Sequence, residues 1–213
     1  MGIELTGLRG IGSGGYIEDA GAAGSVNIDT HVADLDAHTL NAFEQAYIGT
    51  GYSPFTGGSY ASVPLTANRL YAEIIYVART MTFSDIWINR TTAGAGGTKA
   101  RLGVYNASVT LTPSTLKKDY GEVDVDATGV VGIASDLQLT KGYYFRCVVS
   151  DGAPVLRGQS LHMSPLGYNL STFNNAYGGF YGAHTYGALP ATFPTPTIDN
   201  TLPVVLLETK TLD

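Results

Sequence analysis

Residues 69–78 read RLYAEIIYVA, and residues 80–90 read TMTFSDIWINR. The first run is rich in residues that favour β-strands. The second run alternates apolar and polar side chains with a period of two, which places Met81, Phe83 and Trp87 on one face. Both runs therefore predict strands of an all-β domain.

Six further segments have the composition of strands and are separated by Gly, Pro and Asp turns. They are residues 99–106, 120–125, 136–140, 143–150, 154–158 and 202–209. Strands at this spacing are typical of a β-sandwich, and the jelly roll is the form of it that we expect here. The predicted fold class is all-β, a jelly-roll-like sandwich preceded by an N-terminal arm and one short helix.

The N-terminal part has a different character. Residues 1–28 are rich in glycine and predict an extended arm. Residues 29–46 carry the helix signal, because apolar residues recur there at near-helical spacing. The stripe is narrow, which suits a helix that contacts symmetry mates or lies over a sheet. It comprises Val32, Leu35, Leu40 and Phe43. We expect residues 1–48 to anchor and oligomerise the chain and residues 49–213 to form the sandwich.

Composition excludes several classes of protein. The chain of 213 residues has a net charge of −6, and its 12 Lys and Arg residues are scattered, so nucleic acid is not an expected partner. No apolar stretch reaches the ~18 residues of a membrane helix, so no membrane insertion is expected. Cys147 is the single cysteine, which rules out an intrachain disulfide; it lies in an apolar run and is interpreted as a small buried hydrophobe.

Two sets of residues could in principle hold a metal ion. His31, Asp34, Asp36 and His38 lie in the helix segment, and Glu122, Asp124 and Asp126 alternate along a strand. The first set offers imidazole and carboxylate ligands, and the second offers oxygen ligands for Ca²⁺. The simpler interpretation is a solvated surface in both cases. We expect no metal and no cofactor.

The aromatic stretch 164–196 is long, rich in Tyr and Phe, and nearly uncharged. A glycosidase needs two carboxylates across a cleft, yet residues 152–198 contain no Asp or Glu. No nucleophile or metal motif occurs elsewhere, so no enzymatic activity is expected. The rings either bind a sugar or protein surface, or fill the end of the sandwich or a trimer axis. The candidate ligand-binding residues are Tyr168, Phe173, Tyr177, Phe180, Tyr181, His184 and Tyr186.

Several segments, in this order, resemble a module that recurs in phage tail-fibre and head-fibre (spike) proteins. They are Arg69-Leu-Tyr-Ala, Tyr76-Val-Ala-Arg79-Thr-Met-Thr-Phe83, Thr91-Thr-Ala-Gly-Ala-Gly, Ala100-Arg-Leu-Gly-Val-Tyr105, Gly142-Tyr-Tyr-Phe, Val148-Val-Ser-Asp-Gly152 and Tyr186-Gly-Ala-Leu-Pro190. The resemblance covers roughly residues 35–208. His31-Val-Ala-Asp34 and His38-Thr39 also look like the linker repeats of trimeric phage fibres, although the Asn-Pro-His of the usual repeat is missing.

The resemblance implies a sandwich displayed on a virion or virion-like particle, usually as a homotrimer. The expected function is that of a virion structural protein that attaches to a host-surface polysaccharide. The alternative is a decoration, connector or fibre-base subunit that binds only other virion proteins. The expected location is the particle surface, on a head or tail fibre.

Overall fold

The computed structural model describes residues 8–9, 16–19, 26–27, 49, 51–52, 58–161, 166 and 178–212. The chain divides into two compact units, residues 1–45 and 46–213. In the first unit, three short strands form an antiparallel sheet in the order β1-β2-β3: Leu8–Arg9, Tyr16–Asp19 and Val26–Asn27. The glycine-rich arm thus contains paired strands, which its sequence did not predict. The expected helix, with Val32, Leu35, Leu40 and Phe43, lies outside the described residues, as do His31, Asp34, Asp36 and His38.

The second unit is an all-β sandwich of two antiparallel sheets. Its strands in chain order are β4 Gly51–Tyr52, β5 Gly58–Pro64, β6 Arg69–Val77, β7 Met81–Thr92, β8 Lys99–Ala107, β9 Pro113–Asp124, β10 Gly129–Leu139, β11 Gly142–Ser150, β12 Val155–Leu161, β13 Gly179–Ala183, β14 Thr197–Asp199, β15 Thr201–Pro203 and β16 Val205–Leu212. The first sheet contains β4, β5, β7, β10, β12, β15 and β16; the second has the order β14-β13-β6-β11-β8-β9.

Strands β5 to β12 form four antiparallel pairs nested one inside the other. Strand β5 pairs with β12, β6 with β11, β7 with β10, and β8 with β9. Successive pairs lie in alternate sheets. The end of the chain completes the first sheet, because β15 pairs with β12 and β16 pairs with β7.

The main core lies between the two sheets. Both sheets contribute inward-facing apolar residues to it, as a sandwich requires. Fully buried members of this core include Ile75, Met81, Phe83, Ile86, Leu102, Val104, Leu139, Val148, Leu156 and Leu207. The predicted strand at residues 99–106 is confirmed as β8, in which Ala100, Leu102 and Val104 face this core whereas Tyr105 faces the opposite side.

The outer face of the second sheet carries a second apolar cluster, which is also buried. It contains Leu70, Ala72, Ile74, Tyr105, Phe145, Cys147, Val149, Phe180, Leu189 and Phe193. Cys147 is fully buried here, as its sequence context predicted, and burial raises the pKa of its thiol well above the ordinary value. A thiol in that state is a poor nucleophile.

The prediction that Trp87 shares the face of Met81 and Phe83 is wrong. Met81, Phe83, Ile86 and Ile88 are buried, while Trp87 is half-buried on the outer face. The register with both neighbouring strands shifts between Phe83 and Asp85. Such a β-bulge inserts one residue and exchanges the two faces of the strand beyond it.

Four strands of the second unit were not predicted from the sequence: β4, β5, β13 and β14. Strand β13 lies in the aromatic stretch 164–196, and β14 directly follows that stretch. No helix among the described residues has the length and apolarity needed to cross a membrane.

Candidate functional site

The part of the aromatic stretch that follows β13 is fastened to the outer face of the second sheet; we call residues 184–196 the strap. Two backbone hydrogen bonds join it to β9: Leu116 N–H donates to the Ala191 carbonyl at 2.9 Å, and Phe193 N–H to the Ser114 carbonyl at 2.8 Å. The Tyr105 hydroxyl donates to the Pro190 carbonyl at 2.8 Å. The strap is thus hydrogen-bonded to the backbone of β9 and to the side chain of Tyr105 in β8.

Two phenylalanine rings of this region serve packing. Phe180 is buried with its ring 5.7 Å from that of Phe145, in an edge-on arrangement. Phe193 is also buried, and its ring meets Tyr105 edge-on at 5.3 Å. Both geometries are the favourable ones for aromatic pairs. Phe180, a predicted ligand-binding residue, therefore lies inside the second apolar cluster.

Asn68 fixes the start of the strap. It has a left-handed backbone with φ of 62°, which asparagine tolerates better than most residues. Its carbonyl accepts a hydrogen bond from His184 N–H at 3.0 Å, and its side-chain oxygen accepts one from Tyr186 N–H at 2.7 Å. This turn between β5 and β6 therefore positions two predicted site residues.

Tyr181 is half-buried and presents part of its ring at the edge of the sheet. The Arg69 guanidinium lies over this ring, 4.3 Å from its centroid. The centroid of the Tyr71 ring lies 6.5 Å from that of Tyr181, and the two rings are tilted by 49°. The cation–π contact holds the Tyr181 ring in place and puts a positive charge beside it.

His184 buries its Nε2 atom without a hydrogen-bond partner, and Tyr186 buries its hydroxyl oxygen beside the Glu122 carboxylate. Burial, followed by the nearby Glu122 carboxylate and Asp151, raises the pKa of the Tyr186 hydroxyl, while Arg101 opposes them. A buried polar atom without a partner has a free energy cost, which a ligand hydroxyl or water could remove.

A charged network lies beside Tyr186. Arg101 Nε donates to both carboxylate oxygens of Asp119, at 2.9 and 2.8 Å, and Arg101 Nη1 lies 3.4 Å from Glu122 Oε1. Asp119 Oδ2 also accepts a hydrogen bond from Leu189 N–H at 3.1 Å. The network thereby connects the strap to β8 and β9.

The carboxylates that were considered as calcium ligands have separate partners. Glu122 pairs with Arg101, Asp124 lies 3.6 Å from Lys99 Nζ, and Asp126 Oδ2 accepts the Gly97 N–H at 3.0 Å. In the part of the chain that the structure describes, no group of three or more His, Cys, Asp or Glu residues could hold a metal ion.

The remaining predicted ligand-binding residues, Tyr168, Phe173 and Tyr177, lie outside the described residues. Tyr181 packs against the main core, whereas Tyr186 packs against the second apolar cluster on the outer face of the second sheet. Tyr181, His184 and Tyr186 each lie beside residues that the sequence did not single out. Asn68, Arg69 and Arg101 come from strands and turns far from the strap in sequence. Only strand register could have revealed them, since Tyr181 lies opposite Tyr71 and Ala183 opposite Arg69.

Comparison with protein-family models, with curated proteins and with solved structures finds no match to this chain. The chemistry of the site is therefore inferred from its geometry. Its half-exposed groups are a flat ring, an imidazole, a phenol and an arginine, which suit reversible recognition.

Proposed function

We propose that this chain is a fibre or spike protein of a bacteriophage or phage-like particle, located at the particle surface. In this proposal its second unit attaches the particle to a host-surface polysaccharide. The sequence resemblance supplies the class of protein. The observation that carries the attachment role is the fastened strap, which begins with His184 and Tyr186 and directly follows β13, the strand that contains Tyr181.

The strap suits attachment because it is already ordered. A mobile loop loses conformational entropy when it binds, whereas a loop fixed by packing and hydrogen bonds loses little. Here Asn68, Tyr105 and Asp119 each hold one part of the strap. The surface presented to a sugar is consequently rigid.

In this proposal the sandwich is a jelly roll. Support comes from the four nested antiparallel pairs of β5 to β12, distributed over two sheets. A jelly roll is an eight-stranded double sheet that manages strand edges by this kind of wrapping. The chain would be a homotrimer held by residues 1–48, through the helix stripe of Val32, Leu35, Leu40 and Phe43.

The virion assignment is tested by immunogold labelling of particles released by the producing bacterium, with antibody against residues 46–213. Label at the particle surface is expected. Label that remains with soluble protein after the particles are purified would contradict the assignment.

The alternative is a decoration, connector or fibre-base subunit that binds only other virion proteins. It is favoured by large apolar side chains exposed on the second unit: Val109, Val130, Tyr143 and Ile198. Limited proteolysis of the isolated oligomer distinguishes the two functions. Rapid cutting within residues 170–190 argues against a subunit contact there, whereas protection in the oligomer together with cutting in the monomer supports one.

A further inference from the structure

The outer face of the first sheet carries the chain's single tryptophan at its centre. Strand β7 contributes Asp85, Trp87 and Asn89 to this face, since the β-bulge turns them outward. In the strand register, Trp87 lies between Gly132 of β10 and Leu206 of β16. We call Asp85, Trp87, Asn89 and Glu208 the tryptophan face.

The indole ring lies flat on the sheet above Gly132. A Cβ atom at Gly132 would come within 2.4 Å of Trp87 Cδ2 and Cε3, so the fused-ring carbons cover that glycine directly. Trp87 Nε1–H donates to Glu208 Oε2 at 3.0 Å, and this hydrogen bond holds the indole ring in one orientation. One side of the indole covers the glycine, and the half-buried side chain keeps part of its surface accessible to solvent.

Two acidic residues next to Trp87 are paired in the strand register. Asp85 and Glu208 are register partners on β7 and β16, and both are half-buried. Like charges in directly opposite positions destabilise a sheet. A structural role for Trp87 as a cover for Gly132 would account for the ring but not for this unfavourable pair.

We propose that the tryptophan face is a second recognition site, which binds the apolar face of a neutral saccharide ring. The indole would stack on the sugar C–H groups, while Asp85, Asn89 and the free lone pairs of Glu208 accept or donate hydrogen bonds to its hydroxyls. No basic residue occupies the positions around Trp87, namely Asp85, Asn89, Val130, Gly132, Ala134, Leu206 and Glu208, so an anionic sugar is disfavoured. The choice of ligand rests on the proposed attachment function; the site itself does not involve the strap.

The single tryptophan makes a direct test available. The full chain is titrated with maltohexaose, cellohexaose and chitohexaose while the emission and acrylamide quenching of Trp87 are measured. At least one hexasaccharide should change the emission saturably and protect the ring from quenching. No change with any of the three up to millimolar concentration would overturn the proposal.

A variant separates recognition from packing. Asp85→Asn removes one of the opposed charges, so it should keep or raise the melting temperature while weakening hexasaccharide binding at least threefold. Lys141→Ala, an exposed turn residue, is the matched control and should bind as the unmodified chain does. Unchanged binding by Asp85→Asn would contradict a role for the carboxylates.

Three further outcomes show which proposal fails. A Trp87 emission that changes with protein concentration alone, together with self-association in sedimentation, would show that a second copy covers this face and would overturn the saccharide site. If no hexasaccharide changes the Trp87 emission but the protein still attaches to host cells, only the proposal for the tryptophan face is overturned. If a hexasaccharide changes the Trp87 emission but the protein does not attach to host cells, only the attachment function proposed for the strap is overturned.

Discussion

The strap and the backbone of β9 approach Gly103 of β8 more closely than a residue with a side chain would allow. A Cβ atom there would lie 2.3 Å from Leu189 Cδ1 and 2.8 Å from the Lys118 carbonyl oxygen. The backbone oxygen cannot move aside easily, so the smallest side chain already overfills this position. Glycine is therefore needed at residue 103 for close approach.

Gly103→Ala should lower the free energy of unfolding by about 1–3 kcal/mol, because the added methyl group displaces Leu189 or the β9 backbone. Gly96→Ala is the matched control, since a Cβ at Gly96 meets nothing within 4 Å. That variant should leave the free energy unchanged within about 0.5 kcal/mol or raise it slightly. Urea denaturation measures both, and equal losses in the two variants would contradict this account.

Glu73 and Arg146 form an ion pair inside the sandwich. Arg146 Nη2 lies 2.7 Å from Glu73 Oε2, and the two side chains are 2% and 6% exposed. Burial raises the pKa of Glu73, and the nearby Arg146 lowers it without cancelling that effect. The cost of ionising Glu73 in the core is consequently present at neutral pH.

Arg146→Met should destabilise the fold by about 3–5 kcal/mol at neutral pH, because it leaves the buried Glu73 carboxylate without its partner. Lys99→Met, which removes the exposed pair with Asp124, is the control and should cost less than about 1 kcal/mol. A raised pKa means that the contribution of Glu73 is full below the ordinary glutamate pKa and is lost as pH rises. Urea denaturation should thus show that Arg146→Met lowers the free energy of unfolding more at pH 8 than at pH 5. A larger decrease at pH 5 would contradict the raised pKa of Glu73.

Among the elements, the strap is anchored by two buried apolar side chains, Leu189 and Phe193. Leu189→Ala should remove about 2–5 kcal/mol of local packing and raise the rate at which the strap opens. Amide hydrogen exchange should become faster at Phe193 and Leu116, the two donors of the strap–β9 bonds. The amide of Ile86, in the main core, serves as the internal control. Faster exchange at all three amides would indicate global destabilisation instead of strap opening.

Element prediction from the sequence succeeded where alternation or β-branched composition is strong, as in β6, β8 and β11. It failed for β5 and β13, whose Gly, Ser and Ala content has low strand propensity and whose pairing is set by β12 and β6. The face of Trp87 was assigned incorrectly because the bulge near Ser84 breaks the period of two. A bulge depends on the register of neighbouring strands, which local sequence does not contain.

For the whole molecule, the nested pairing has one consequence for the candidate site. Strands β6 and β8, distant in sequence, are brought next to β11, so Arg69 and Arg101 lie on one sheet. The sequence could name the half-exposed Tyr181, His184 and Tyr186 but not these partners, since contacts between distant strands are fixed only by the complete topology. It also left open whether the rings pack or bind; Phe180 and Phe193 pack, and binding by the others stays a prediction.

Oligomerisation is also a property of the whole molecule. Full-length protein should sediment as a trimer and residues 46–213 as a folded monomer, because the proposal assigns association to residues 1–48. Sedimentation velocity measures both, and circular dichroism checks that the shorter chain is folded. A trimer of residues 46–213 would place the association in the sandwich and contradict that assignment.

The most direct test of the attachment function is the binding of full-length protein to an array of bacterial surface polysaccharides. The protein should bind at least one polysaccharide saturably, and Tyr181→Ala should weaken that binding at least tenfold without changing the melting temperature by more than a few degrees. Lys141→Ala should bind as the unmodified protein does. Binding to no polysaccharide on the array, or equal binding by Tyr181→Ala, would contradict the proposed attachment function.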